Sequence, residues 1–117
     1  MPRTLTSQEA PARLCELSAD ARAAVLLDPS GEVAGSSEKG ERGERLAHAA
    51  RELFEAVDSA VQGESPSQVE AQVEGGAVFL VRRDGRSLAI VARRSALSSL
   101  MFYDARAVLS AVEGAAA

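Results

Sequence analysis

The hydrophobic positions change their spacing several times along the chain, and each change marks an element. Residues 6–17 carry Leu14 and Leu17 among alanines, which predicts a short helix with Pro11 in its first turn, where a missing N–H is tolerated. Read from Ser7, the third residue on is Ala10, so no capping pair marks its start. The apolar run Ala-Arg-Ala-Ala-Val-Leu-Leu over 21–27 predicts a strand. It ends at Asp28-Pro29-Ser30-Gly31, where proline suits the second turn position and glycine tolerates positive φ, so a hairpin to a short strand at 32–36 is expected. A charged, glycine-bearing connector over 37–43 leads to a helix over 44–61, with Leu46, Ala50, Leu53, Val57 and Val61 on one stripe facing the sheet.

After the polar break 62–67 the period falls to two. Val69-Glu70-Ala71-Gln72-Val73-Glu74 alternates as a strand with one buried and one wet face does. Gly75-Gly76 and Asp84-Gly85 are two-residue hairpin signals on either side of the strand 77–81, and the second leads into a strand at 87–92. A last helix over 96–112 places Leu97, Leu100, Met101, Ala105, Val108, Leu109 and Val112 on one broad face, and the tail 114–117 is expected to fray. Strands near Val25, Leu80 and Ile90 are apolar on both faces and belong in the middle of a sheet, whereas those near Val33 and Val69 suit edges. One arrangement keeps the apolar strands inside: an α+β sandwich whose five-stranded antiparallel sheet has the order 2-1-5-4-3. The long helix lies on one face and the terminal helices on the other. The expected unit is a single domain over 1–117, with its core at about 14–112.

Composition narrows the function. With 117 residues and 46% hydrophobic content, one domain can bury roughly two-thirds of its unfolded surface. Thirteen basic against seventeen acidic side chains, a net −4, argue against a nucleic-acid binder, which needs a basic face. Phe54, Phe79, Phe102 and Tyr103 all lie in apolar stretches that read as core. A single cysteine, Cys15, excludes an internal disulfide, no signal peptide pattern opens the chain, and no apolar run approaches the ~20 residues of a membrane span. A cytoplasmic protein without membrane insertion is expected. Twelve of the thirteen basic residues are arginine and twenty-three residues are alanine, a hint of a GC-rich bacterial genome.

The chemistry-bearing residues are scattered. Residues 35–42 have the glycine spacing of a phosphate loop, but Glu41 and Arg42 stand where lysine and Ser/Thr would contact phosphate and magnesium. His48 is the only histidine and Cys15 the only cysteine, so neither a metal cluster nor a histidine-based triad has enough members. Glu70 and Glu74 read as a solvated strand face, and Arg82, Arg83 and Arg86 lie at the opposite end of their hairpin from Arg93 and Arg94. Leu100-Met-Phe-Tyr103 cannot all point inward from one helix, so one or two reach a partner or the first helix. No enzyme activity, cofactor or metal is expected.

Three segments resemble one family. Ala24-Val-Leu-Leu-Asp-Pro-Ser-Gly-Glu-Val-Ala-Gly-Ser-Ser37 resembles the first hairpin of the Roadblock (dynein light chain) family, and Phe79-Leu-Val-Arg-Arg-Asp-Gly-Arg-Ser-Leu-Ala-Ile-Val91 its fourth and fifth strands. Ser99-Leu-Met-Phe-Tyr-Asp-Ala-Arg106 is similar to the opening of the final helix in some bacterial members. The resemblance implies a non-catalytic module that binds, and regulates or scaffolds, a Ras-like small GTPase or another subunit of the family. It also implies a homodimer, for which the strand at 68–74 is suited because it has neither proline nor lysine to discourage pairing. Val69, Ala71 and Val73, with Phe54 and Val57, are the candidate dimer contacts. The outer helix surface, Arg45, His48, Arg51, Glu52 and Glu55, is the candidate partner face. A small-molecule sensory domain is the alternative.

Overall fold

The computed structural model describes residues 4–64 and 66–113, so Ser65 and the tail expected to fray lie outside the described residues. The order is α1 (Ala10–Leu17), β1 (Ala21–Leu27), β2 (Val33–Ser36), α2 (Gly40–Ala60), β3 (Gln68–Val73), β4 (Gly76–Arg83), β5 (Arg86–Ala92) and α3 (Ser98–Ala111). All five strands join one antiparallel sheet in the order β2-β1-β5-β4-β3, as the burial pattern predicts.

Local chemistry sets the boundaries. Asp28 Oδ1 accepts from the Ser30 and Glu32 amides at 2.9 and 3.1 Å while Gly31 adopts φ 87°, which closes the first hairpin. Asp84 and Gly85 both have positive φ, 54° and 77°, as a type I′ turn demands. The other hairpin is shifted by one residue from expectation: its loop is Glu74-Gly75, and Gly76 already belongs to β4. Gly76 answers a different constraint, because a Cβ there would stand 2.6 Å from the Ala92 carbonyl oxygen. Before α1, a Thr-x-x-Glu box is present after all. The Thr6 amide donates to Glu9 Oε1 at 3.0 Å and the Glu9 amide to Thr6 Oγ1 at 3.1 Å, a pair that reading from Ser7 overlooks.

Two cores separate on the two faces of the sheet. The larger lies between the sheet and α1 with α3, centred on Leu14, Leu26, Phe79, Leu88, Ile90, Met101 and Leu109. Leu5 closes it: its amide donates to the Ala111 carbonyl and its carbonyl accepts from the Glu113 amide, each at 2.7 Å. The smaller lies under α2 and consists of Val25, Leu27, Ala47, Ala50, Phe54, Leu80 and Ala89. Two expectations for α2 need correction. The helix starts at Gly40 and not at 44, because Gly43 is a close-approach residue within it: a Cβ there would meet the Glu38 carbonyl oxygen at 2.6 Å. Its buried stripe is Ala47, Ala50 and Phe54, rotated from the predicted one, while Leu46, Leu53 and Val57 are half-buried along its flank.

Candidate functional site

An unpaired strand edge and the helix beside it adjoin on the α2 side of the sheet. β3 pairs with β4 only, in the continuous register Gln68 with Val81 through Val73 with Gly76. Val69, Ala71 and Val73 stand level with Leu80, Val78 and Gly76 and share their face, the one α2 covers in part. Val69 and Ala71 are half-buried and Val73 is 39% exposed. On α2 the half-buried Leu46, Leu53 and Val57 lie on that same face, on the flank away from Arg51. The result is an apolar strip that runs from the helix flank to the sheet edge. Of the expected dimer contacts, Val57, Val69, Ala71 and Val73 fall on it.

Phe54 does not. It is 7% exposed within the smaller core, and the Arg82 guanidinium covers it, with Cζ 4.6 Å from the ring centroid. Arg82 is itself held by Asp58, which accepts from Nη1 at 2.6 Å and from Nη2 at 3.0 Å. Phe54 is therefore a core residue and not, as expected from the sequence, a surface contact.

The outward face of α2 carries Arg45, His48, Glu52 and Glu55, all exposed. His48 Nε2 lies 2.6 Å from Glu52 Oε1, one turn along the helix. Glu41, Glu44, Arg45 and His48 line an open hollow of about 520 Å³. Arg51 is placed differently from the other four: its Nε donates to the Gly31 carbonyl at 2.8 Å, so it braces the first hairpin. A second open hollow of about 460 Å³, lined by Arg51, Glu55, Asp58, Arg82 and the two turns, lies on that side.

On the opposite face β3 is tied to α3. Ser98 Oγ and Gln72 Nε2 both donate to Glu70, and Arg106 Nη1 donates to Gln68 Oε1. Of the four consecutive large residues, Met101 is buried and Phe102 packs edge-on against Phe79 at 5.3 Å between centroids. Leu100 and Tyr103 point outward, 53% and 65% exposed, as does Leu97 at 67%. Burial pushes the Cys15 thiol above its ordinary pKa, against a hydrogen bond from Ser37. Among the described residues no cluster of three or more His, Cys, Asp or Glu could hold a metal, and no helix is long and apolar enough to cross a membrane.

A five-stranded antiparallel sheet in this order, with the long helix on one face and the terminal helices on the other, is the Roadblock/LC7 fold, which profilins share in broader outline. A Roadblock/LC7 domain from Streptomyces avermitilis superposes with a TM-score of 0.74 at 20% identity, covering 90% of this chain and 91% of its own. Myxococcus xanthus MglB does so with a TM-score of 0.70 at 12% identity, over 87% and 80%. Profilin II from Acanthamoeba castellanii follows with a TM-score of 0.56 at 12% identity, over 88% and 93%. At these identities the likeness is one of fold. No family model and no curated protein matches the chain.

Proposed function

We propose that the chain is a non-catalytic, dimeric interaction module that binds a Ras-like small GTPase, or a second Roadblock-type subunit, and regulates or scaffolds it. One observation carries the reading: an apolar strip joins an unpaired strand edge to the flank of a long helix whose outer face is charged. A second copy that pairs β3 antiparallel about a two-fold axis covers the strip and brings the two α2 helices side by side. The pair then presents two sets of Arg45, His48, Glu52 and Glu55. A mixed-charge platform of this kind contributes orientation and encounter rate more than raw affinity. Among solved structures of this fold, one is described as MglB with a tetrameric arrangement, which supports assembly as a use of the scaffold.

The test exchanges charge on the outer face, Arg45→Glu with Glu52→Arg. Light scattering first establishes that the dimer persists, and binding to the GTPase purified with the protein is then measured at several salt concentrations. A loss of tenfold or more, steepest at low salt, is expected from roughly 1.4 kcal/mol of charge mismatch. Unchanged binding moves the partner face off α2, and no binding by the parent protein removes the GTPase reading.

A further inference from the structure

The hydrogen-bond parity of β3 narrows which of its residues can meet at a two-fold axis. The Arg82 amide donates to the Ser67 carbonyl at 2.8 Å, so those two residues form a hydrogen-bonded pair. The register continues without a bulge, and antiparallel pairs alternate. The odd-numbered residues Val69, Ala71 and Val73 therefore turn their backbone groups toward β4. Gln68, Glu70 and Gln72 turn theirs outward. A second copy of β3 can bond only through these even residues, which leaves two central registers. One puts the two-fold axis at Glu70, the other at Ala71. Each joins the strand over nearly its whole length, so side chains decide between them.

With the axis at Glu70, that carboxylate faces its own copy directly, and like charges opposed on a sheet destabilise it. Any turn away would have to break the bonds by which Ser98 Oγ and Gln72 Nε2 hold its two oxygens. Val73, one of the exposed large apolar residues, would meet Ser67. With the axis at Ala71, Glu70 faces Gln72 of the second copy, an amide that can donate to it. Val69 then covers Val73 on the other face. Ala71 meets Ala71 there, and its small side chain suits the close spacing of a non-hydrogen-bonded pair, about 4.5 Å between Cα atoms.

The geometry points to a homodimer whose two-fold axis passes through the Ala71 pair, with Glu70 of each copy opposite Gln72 of the other. This rests on the homodimer reading above and makes a finer claim. It is tested in the full chain with Cys15→Ser, so that an introduced thiol stands alone. Residues facing each other across the axis lie within disulfide range, whereas a pair displaced by two positions is about 8 Å apart and cannot bridge. Under mild oxidation Ala71→Cys is expected to form roughly tenfold more linked dimer than Glu70→Cys. A second arm uses the otherwise unaltered chain: Glu70→Gln is expected to leave the dimer dissociation constant within about twofold. Preferential linking at position 70, or a several-fold tightening by Glu70→Gln, overturns the Ala71 register while the homodimer stands. A parent protein that scatters light as a monomer at about 100 μM overturns the homodimer itself, and the register with it.

Discussion

Replacing Phe54 with alanine separates a core role from a contact role. The ring is 7% exposed, packed over Val25, Leu27, Leu80 and Ala89 and roofed by Arg82. A buried aromatic removes ~150–250 Å² from water, and Phe→Ala in a core costs about 3–5 kcal/mol. The cation over the ring adds ~0.5–1 kcal/mol. The neighbours Ala47 and Ala50 are small and the Arg82 stem is flexible, so the site collapses in part and the lower end applies. About 3 kcal/mol is expected, against a total of ~5–15 kcal/mol, with a fall in Tm of roughly 10 °C. The assay is urea unfolding of parent and Phe54→Ala at protein concentrations a hundredfold apart. A core residue costs the same at both concentrations, because its contacts lie within one protomer. A contact residue costs little in the dilute sample, where few dimers exist to lose. A deficit confined to the concentrated sample would return Phe54 to the dimer contacts and refute its placement in the core.

Two further predictions follow from local geometry. Asp28 is held below its ordinary pKa of 3.8, first by the Ser30 hydroxyl and then by the backbone amides of the turn. Its stabilisation is thus fully present above the ordinary value and is lost as pH falls through the lowered one; Asp28→Asn, which keeps an acceptor but does not titrate, should remove that part of the acid sensitivity in melts between about pH 5 and pH 2. In Gly35→Ala the new Cβ would stand 2.2 Å from the Ser7 carbonyl oxygen, so the strand or the 6–8 segment must shift. A loss of about 1–3 kcal/mol in chemical denaturation is expected, and a neutral result would mean that the segment before α1 yields freely.

Strand order was legible because burial in a sheet is written at period two. Val25, Leu80 and Ile90 have apolar neighbours on both faces, and Val69 does not, so centre and edge separate without tertiary information. The rotation of α2 was not legible. Apolar residues occupy both sides of its stripe, Leu46 and Leu53 on one and Ala47 and Phe54 on the other, and the 3.6-residue period fits either. Packing against the sheet decides, because Ala47, Ala50 and Phe54 are the residues of α2 that join Val25, Leu27, Leu80 and Ala89 in the smaller core. The Gly75-Gly76 dipeptide is ambiguous for a similar reason. One glycine supplies the positive φ of the turn, 82°, and the other the close approach to Ala92, and sequence alone does not say which does which. Of the candidate surface, the edge and the outer charges of α2 could be read directly. Arg51 could not, because its bond to Gly31 joins residues twenty positions apart.

The unequal cores bear on how the proposed module would be regulated. α1 and α3 sit over a core that includes Phe79, Met101 and Leu109 and is closed at the chain ends by Leu5 with Val112. α2 rests on a smaller one, and Leu46, Leu53 and Val57 on its flank remain half-buried in a single copy. In the proposed dimer a second copy would complete the burial of that flank, so dimerisation would stabilise the helix that carries the proposed partner face. A GTPase that recognises the paired form then tightens the dimer by the same factor by which dimerisation tightens the GTPase, since coupling between two binding events is reciprocal. On the proposed arrangement, charges on the outer face would enter this coupling only through the partner, and Ala71 and Val73 only through the dimer. Substitutions at the two sets should therefore add in GTPase affinity when the dimer is saturated and depart from additivity when it is dilute.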